Sequence, residues 1–270
     1  QNTSDAEPLA DDNMSGNCGT DGNESSVTWK LDKNDGDEGN STYTLTISGE
    51  GQMADFSSND VPWKKALSDA NATYTDKTTN GEDGKPKTFY PITKIVIEDG
   101  VTSIGNNAFS YTDVSEITIP DSVTTIGSGV FTWTLQLKDI HIPASVTNLH
   151  YTAGDDGEYT YYNTFDGAFN LENITVENGS DNYAVVGGIL IGKIQSTKNE
   201  WMIINCPDRL DMTQISASIF SDYDMTAVGR TAFSACGSLT ALTCRTRSPK
   251  SVPVRSTNAT ASRAFLSRMA

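Results

Sequence analysis

A repeat of 22 to 23 residues dominates the middle of this chain. Ile92–Val114 reads ITKIVIEDGVTSIGNNAFSYTDV, Ser115–Leu137 reads SEITIPDSVTTIGSGVFTWTLQL, and Lys138 opens a third unit that reads KDIHIPASVTNL. Apolar residues recur at equivalent positions of the three units, among them Ile97, Ile119 and Ile142, then Val101, Val123 and Val146. A fixed period of this size predicts a solenoid, because one unit cannot bury its apolar face alone. Proteins of this kind usually offer a surface for binding or scaffolding.

The spacing of apolar residues inside a unit predicts its local structure. Ile95 and Ile97 alternate with polar or outward positions, which is typical of a strand. Asp99-Gly100 indicates a turn, Val101–Ile104 a second short extended segment, and Asn106–Phe109 a short helical turn. Stacking then predicts one parallel strand ladder through Ile95, Ile117, Ile140, Ile174 and Leu242, with a second column through Ile97, Ile119, Ile142, Val176 and Cys244.

Two insertions interrupt the repeat, at 150–165 and at 182–207. Phe109 and Phe131 are 22 residues apart, and the next equivalent aromatic residue is assigned to Phe169, 38 residues further on. The first insertion is rich in tyrosine, and such insertions usually emerge as loops on one face. In the second, 187–191 and 201–205 are predicted to form a β-hairpin. The solenoid as a whole is predicted over 92–244.

The two ends of the chain differ from the repeat in composition. Residues 1–26 are acidic and poor in large apolar groups, which predicts a flexible tail. Residues 27–91 are predicted to cap the solenoid with a β-hairpin made of Val27–Asp32 and Tyr43–Ser48, anchored by Phe56 and Pro62-Trp63. Residues 245–270 form a basic tail with six Lys and Arg and no acid. This tail is read as solvated, or alternatively as docked on an acidic surface of its own chain or a neighbour's.

Several ordered motifs resemble the BspA-like leucine-rich-repeat family of bacterial surface and secreted proteins. They are Ile117–Phe131, Ala232–Leu242, Ser15–Gly19, Leu45–Met53 and Asn182–Pro207. The resemblance implies an α/β leucine-rich-repeat solenoid, a right-handed superhelix with a parallel strand ladder, short helical turns and a β-rich N-terminal cap. It also implies export to the cell surface or the medium and, in some relatives, adhesion. The family defines no catalytic residues that could be transferred. Lys250–Met269 departs from the repeat and lacks a recognisable sorting signal.

Composition excludes several classes of function. The net charge of −16 argues against nucleic-acid binding, which requires clustered Lys and Arg. No apolar stretch is long enough for a membrane-spanning helix. The four cysteines contain no CxxC pair and predict neither a zinc site nor a disulfide scaffold, although one bridge among Cys206, Cys236 and Cys244 stays open. The sequence predicts no metal and no cofactor.

No catalytic site is predicted. A nucleophile–histidine pair would have to use His141 or His150, and neither lies in a known catalytic motif. Carboxylates are abundant, so a hydrolase with a carboxylate pair cannot be eliminated by counting, but most of them lie in turns and tails.

The candidate site is the outward face of the repeat strands. A parallel sheet with one open face is unusual unless that face is covered or used. The face is predicted from Glu116 and Thr118, Asp139 and His141, and Asn173 and Thr175, with the insertion tyrosines Tyr159, Tyr161 and Tyr162. The expected partner is an extracellular protein or glycan. A merely solvated sheet and an aromatic flap packed on the core are the structural alternatives, and a spacer that displays another module is the functional one.

Overall fold

The computed structural model describes residues 14–34, 41–80, 86–149, 151–153, 159–161, 164–194, 199–207, 214–229, 232–233 and 241–243. Strands make up most of the regular secondary structure in this part of the chain, and its one α-helix is α1, Pro62–Asp69. The strands are β1 Ser15–Asn17, β2 Val27–Asn34, β3 Thr42–Gly49, β4 Gly51–Gln52, β5 Tyr74–Asn80, β6 Pro86–Phe89, β7 Ile92–Ile97, β8 Val101–Ile104, β9 Glu116–Thr118, β10 Thr125–Ile126, β11 Asp139–Ile142, β12 Tyr151–Ala153, β13 Tyr159–Tyr161, β14 Asn173–Val176, β15 Tyr183–Val186, β16 Ile189–Lys193, β17 Glu200–Asn205, β18 Gln214–Ser216, β19 Asp224–Val228 and β20 Ala241–Thr243.

The predicted N-terminal hairpin is confirmed and begins the strand ladder of the solenoid. β2 and β3 pair antiparallel along their whole length, and β3 then pairs in parallel with β7. Leu45 lies opposite Ile95 and Ile47 opposite Ile97, and all four side chains are buried. The hairpin therefore covers the apolar edge that the first coil would otherwise expose to water.

The predicted flexible tail over residues 1–26 is wrong from β1 onwards. β1 pairs antiparallel with β2 at the edge of the same sheet, and the amide of Cys18 donates to the Val27 carbonyl at 2.8 Å. Burial raises the pKa of the Cys18 thiol to about 12, so this free cysteine behaves as a small apolar side chain. The composition of this segment did not predict the strand, because strands pair through main-chain groups, which residues of nearly every type carry. Residues 1–13 lie outside the described part.

Each coil follows the predicted order of strand, bend, second extended segment and tight turn. In the first coil these are β7, the turn at 98–100, β8, and 106–110, where the Ser110 amide donates to the Asn107 carbonyl at 3.2 Å. The strands pair in parallel, with Ile95 opposite Ile117 and Ile140 opposite Ile174. The prediction of one continuous ladder is wrong, because β7–β9 and β11–β14 belong to separate sheets and β20, which contains Leu242, pairs with β18. Cys244 lies outside the described residues.

A column of aromatic rings forms the centre of the solenoid. It runs from coil to coil through Phe56, Trp63, Phe109, Phe131 and Phe165, with ring centroids 5.5 to 6.1 Å apart. The assignment of Phe169 to this column is wrong. Phe165 stacks on Phe131 and is 2% exposed, whereas Phe169 is 39% exposed. The Ala-Phe pair at 168–169 has the same sequence as the pair at 108–109. The main chain nevertheless places Phe165 next to Phe131, because the Phe131 amide donates to the Thr164 carbonyl at 2.9 Å.

A second sheet follows the repeat and is apolar on both faces. The hairpin predicted at 187–191 and 201–205 is confirmed as β16 and β17, with β15 and β19 on either side. Leu190 and Ile204 pack into the solenoid core, while Ile191 and Ile203 face a second cluster with Phe220 and Phe233. Cys206, which follows β17, is disulfide-bonded. Cys236 lies outside the described residues.

Helix α1 fastens the N-terminal segment to the first coil. Trp63 Nε1 donates to the Ala108 carbonyl at 3.0 Å. Lys64 Nζ donates to the Asn107 carbonyl at 3.1 Å and to Ser110 Oγ at 2.6 Å, and it lies 5.7 Å from the centre of the Tyr90 ring. Lys64 is 1% exposed, and in the described part of the chain no carboxylate forms an ion pair with it. Burial lowers the pKa of Lys64 to about 7.

The aromatic column gives a first prediction. We expect Phe165→Ala to lower the free energy of unfolding by about 3–5 kcal/mol, because it opens a cavity between Phe131 and the next coil. Phe169→Ala is the matched control and should cost about 1 kcal/mol, since it removes one edge-to-face contact with Trp133 from a ring that is largely in water. Urea titration followed by tryptophan fluorescence measures both. An equal or larger loss in Phe169→Ala would contradict this register.

Lys64 gives a second prediction, on pH. The pKa of Lys64 is about 7 in the folded chain, against 10.5 for an ordinary lysine. The unfolded chain therefore binds more protons between these values, and stability should rise with pH across that window. We expect the increase between pH 7 and 9.5 to be about 3 kcal/mol larger in the natural chain than in Lys64→Met.

The matched control for this pH experiment is Lys65→Met, because Lys65 is the exposed neighbour on the same helix. It should keep the pH dependence of the natural chain. In Lys64→Met the Ser110 hydroxyl still donates to the Asn107 carbonyl, so no new unpaired group results. Equal pH slopes in the two variants would show that Lys64 is not the titrating group.

Candidate functional site

The six strand residues of the candidate site lie on one open face of the coils. β9, β11 and β14 each place alternate side chains in the core and in solvent. The residues that face solvent are all exposed: Glu116, Thr118, Asp139, His141, Asn173 and Thr175. They form two columns, as the alternation of the sequence predicts.

Hydrogen bonds across the strands orient the side chains on β11 and β14. Asn173 lies opposite Asp139, and its Nδ2 donates to Asp139 Oδ1 at 2.7 Å. His141 lies opposite Thr175, with Nδ1 3.0 Å from Thr175 Oγ1. The Thr175 hydroxyl donates to the Ile140 carbonyl at 3.3 Å. Because a hydroxyl has one proton to give, Nδ1 of His141 is assigned as the donor to Thr175 Oγ1.

An ion pair orients the side chains on the neighbouring ladder. Lys94 on β7 pairs with Glu116 on β9, and the two side chains are 42% and 62% exposed. A pair this exposed adds little stability. Its effect is to hold the Glu116 carboxylate in a fixed place on the face. Each pair of strands on this face thus carries its own polar cross-link.

The insertion tyrosines belong to a hairpin of their own, and their part in the candidate site stays a prediction. β12 and β13 form an antiparallel hairpin in which Tyr161 lies opposite Tyr151 and Tyr159 opposite Ala153. The hairpin leaves the third coil after Leu149, beyond its second extended segment, and thus not from its strand side. Tyr162 and His150 lie outside the described residues. The strand face and the tyrosines are therefore two separate candidate surfaces.

An aromatic row on another side of the coils was not recognised in the sequence. It runs through Tyr74, Phe89, Tyr111, Trp133 and Phe169, with centroids 5.3 to 6.4 Å apart. Phe89, Tyr111 and Trp133 are spaced by 22 residues, so the repeat period could have revealed it. Tyr111 and Trp133 stack in parallel, and Phe89 meets Tyr111 edge to face. The two ends, Tyr74 and Phe169, are 43% and 39% exposed.

One half-buried carboxyl group lies beside this row. The Tyr74 hydroxyl donates to Asp113 Oδ1 at 2.7 Å. Burial raises the pKa of Asp113, and the Tyr74 hydrogen bond partly opposes the increase. Burial and Asp113 raise the pKa of Tyr74 in turn. The pair is explained as a structural bond that attaches the β5–β6 hairpin to the connection between the first and second coils.

Metal ligation and membrane crossing find no support in the described residues. Within them, no cluster of three or more His, Cys, Asp or Glu side chains could hold a metal ion. No helix in that part of the chain has the length and apolarity that a membrane crossing requires.

The stacked coils, parallel strands and short turns together define a leucine-rich-repeat fold. Residues 86–183 match the model of the BspA type leucine rich repeat region in six copies. The chain therefore carries a BspA-type leucine-rich-repeat region, and the family resemblance of the sequence is confirmed. No curated protein matches the chain.

Bacterial proteins of known structure are similar to this chain at low identity. A leucine-rich repeat protein from Eubacterium ventriosum ATCC 27560 is 19% identical, with 86% of this chain and 73% of that chain covered and a TM-score of 0.35. A leucine rich cell surface protein from Faecalibacterium prausnitzii A2-165 is 20% identical, with coverages of 83% and 76% and a TM-score of 0.41. The pneumococcal vaccine antigen PcpA is 15% identical, with coverages of 80% and 62% and a TM-score of 0.40. Values this low do not bear on function.

Proposed function

We propose that this chain is a non-enzymatic binding protein, secreted or held at the cell surface, that recognises an extracellular protein or glycan through its strand face. The observation that carries the proposal is the exposed, pre-arranged polar face on β9, β11 and β14. We further propose that the repeat continues as a right-handed superhelix over 92–244, with 27–91 as its cap, insertions at 150–165 and 182–207, and a basic tail over 245–270.

A solvent-exposed face on a parallel sheet is unusual and needs an explanation. Parallel sheets are usually covered on both sides, because their strands are apolar on both sides. Here the inner residues of these strands contribute to the core, while the outer ones are polar and exposed. Solenoids present extended surfaces of this kind to partners. The polar outer columns keep the face soluble until a partner covers it.

Hydrogen bonds connect the side chains of the face within the β11–β14 pair. Asp139 is held by Asn173 and His141 by Thr175, so binding would immobilise fewer free rotamers. Each rotamer-rich side chain that a partner must order costs about 0.5–1.5 kcal/mol. Cross-strand hydrogen bonds within the β11–β14 pair reduce that loss for its side chains, which favours recognition over simple solvation.

The chemistry of the face suits a neutral or weakly basic polar partner. It offers two carboxylates, an amide, an imidazole and two hydroxyls within a few strands, which matches the hydroxyls of a glycan or the polar rim of a protein. The chain's net charge of −16 disfavours nucleic acid. Export to the cell surface is proposed from the BspA-type repeat region.

A binding screen tests the proposal. The full chain would be screened against an array of extracellular-matrix proteins and glycans at physiological salt. We expect a saturable partner whose affinity falls at least about tenfold, or 1.4 kcal/mol, in the double variant Thr118→Arg/Thr175→Arg, because two long cations then cover the face.

The chain supplies a closely matched control, Thr124→Arg/Thr147→Arg. Thr124 and Thr147 are also exposed, and the Thr147 hydroxyl donates to a carbonyl of the preceding coil at 3.3 Å, as the Thr175 hydroxyl does. These two lie on the second extended side of the coils, so binding should persist. Loss in both double variants would mean that the strand face is not the site.

The insertion tyrosines are tested separately with Tyr159→Ser/Tyr161→Ser/Tyr162→Ser. Loss of binding in this triple variant alone would move the site to the insertion. No partner at all for a chain shown to be folded by circular dichroism would contradict the binding proposal and favour a spacer that displays another module.

A further inference from the structure

The strand ladder of the solenoid is interrupted once within the repeat. β3, β7 and β9 pair in sequence, and β11 pairs with β14, but β9 and β11 form no ladder. All residues of these strands and of the chain between β9 and β11 are described. We call this interruption between β9 and β11 the seam.

The second and third coils stay attached on their other sides. Near β10 the Ile126 amide donates to the Asn148 carbonyl at 2.8 Å and the Thr147 amide to the Thr124 carbonyl at 2.9 Å. At the turns, the Trp133 amide donates to the Asp166 carbonyl at 2.9 Å. The two coils are therefore joined along two sides and separated only on the strand side.

The cause of the seam lies in the length of the connection that precedes each strand. Phe89, Tyr111 and Trp133 occupy one position of the repeat, and Gly167 takes that position in the coil after Trp133. The buried apolar residue that lies three positions before the inward isoleucine of each strand comes three positions later in the first two coils, at Ile92 and Val114, and four positions later in the following two, at Leu137 and Leu171.

Strands that follow connections of equal length pair with each other. β7 and β9 follow the shorter connection, β11 and β14 the longer one, and the seam falls where the length changes. The extra residue displaces β11 relative to β9, so that their main-chain groups do not meet in register. The same displacement accounts for the partial exposure of Ile117 and Ile119, whereas Ile95 and Ile140 are buried.

The direction of the main-chain groups identifies the residues at the seam. The Glu98 amide donates to the Ile47 carbonyl, so the main-chain groups of Val96 face β3 and those of Ile95 face β9. Because Val96 lies opposite Thr118, the main-chain groups of Thr118 meet β7, and those of Ile117 point towards β11. On β11, the Glu177 amide donates to the Ile142 carbonyl, so the groups of Asp139 and His141 point towards β9.

The seam is too narrow to take an additional strand. Cα atoms of β9 and β11 approach within 8 Å. Paired strands lie about 4.7–4.9 Å apart, so an inserted strand would need a gap of about 9.5 Å. The seam therefore allows β9 and β11 to move relative to each other, but it is too narrow for another strand to bind between them.

We propose that the seam is a hinge of the solenoid. The coils up to β9 and the coils from β11 onwards move as two stiff units about the hydrogen bonds near β10 and Asn148. This motion opens and closes the distance between Glu116 and Thr118 on one unit and Asp139 and His141 on the other. The hinge follows from connection length and holds whether or not the strand face binds a partner.

Relaxation dispersion and amide hydrogen exchange on the isotopically labelled full chain test the hinge. We expect microsecond-to-millisecond exchange broadening at Glu116, Thr118, Asp139 and His141 but not at Val96, which faces β3 inside a ladder. The Ile117 and His141 amides should also exchange with solvent at least about tenfold faster than that of Val96. Equal exchange and no dispersion at the seam would overturn the proposal.

Deleting the exposed Gln136 tests the cause. The deletion shortens the connection before β11 to match the one before β9, so the seam should move to β11–β14, and dispersion should appear at His141 and Thr175 and disappear at Glu116. Gln136→Ala keeps the length and should leave the seam in place.

Inserting one alanine between Asp113 and Val114 is the converse variant, for use if the deletion does not fold. It lengthens the connection before β9, which should move the seam to β7–β9. A seam that stays between β9 and β11 in whichever length variant folds would show that connection length does not cause it.

Discussion

The fold depends on burying one coil's apolar side chains against the next coil. A single coil has only a short strand, two tight turns and a few apolar residues, which is too little to hold itself together. The column from Phe56 through Trp63 and Phe109 to Phe165 joins successive coils into one core. Because each coil is stabilised only by its neighbours, both ends of the column have to be covered. β3 and α1 cover the first end, and the sheet of β15–β17 and β19 packs on the other.

Lys64 shows how a charged side chain can be part of the apolar contact between the N-terminal cap and the first coil. Lys64 satisfies two acceptors of the first coil while its charge is removed from water, and its lowered pKa reflects that burial. Trp63 contributes a ring to the aromatic column and a hydrogen bond to Ala108. Attachment of the cap therefore combines apolar packing with directional bonds, and the directional bonds fix how α1 sits on the first turn.

Much of the coil could be predicted from sequence, because periodicity reports directly which side chains are buried. The inward positions, the N-terminal hairpin and the β16–β17 hairpin all carry an alternation that residue types reveal. The outward columns of the candidate site follow from the same alternation. What the sequence concealed depends on main-chain pairing. β1 looked like a flexible tail, Phe169 resembled a core residue, and the single predicted ladder divides at β9. Helix α1 was missed, since its eight residues are too few for a clear helical period.

The repeat position occupied by Tyr111, Trp133 and Gly167 can serve as a reference point in other chains with this repeat. Tyr111 and Trp133 adopt positive φ of 60° and 59°, and Gly167 adopts 75°. The ring of Trp133 lies 3.0 Å from the place that a Cβ of Gly167 would occupy, so a larger residue there would require the ring to shift. Counting residues from this position to the buried apolar residue before the next strand gives the phase of that strand. A table of these counts along a repeat array would show where the length of the connection changes. Each change marks a place where the strand ladder is expected to be interrupted.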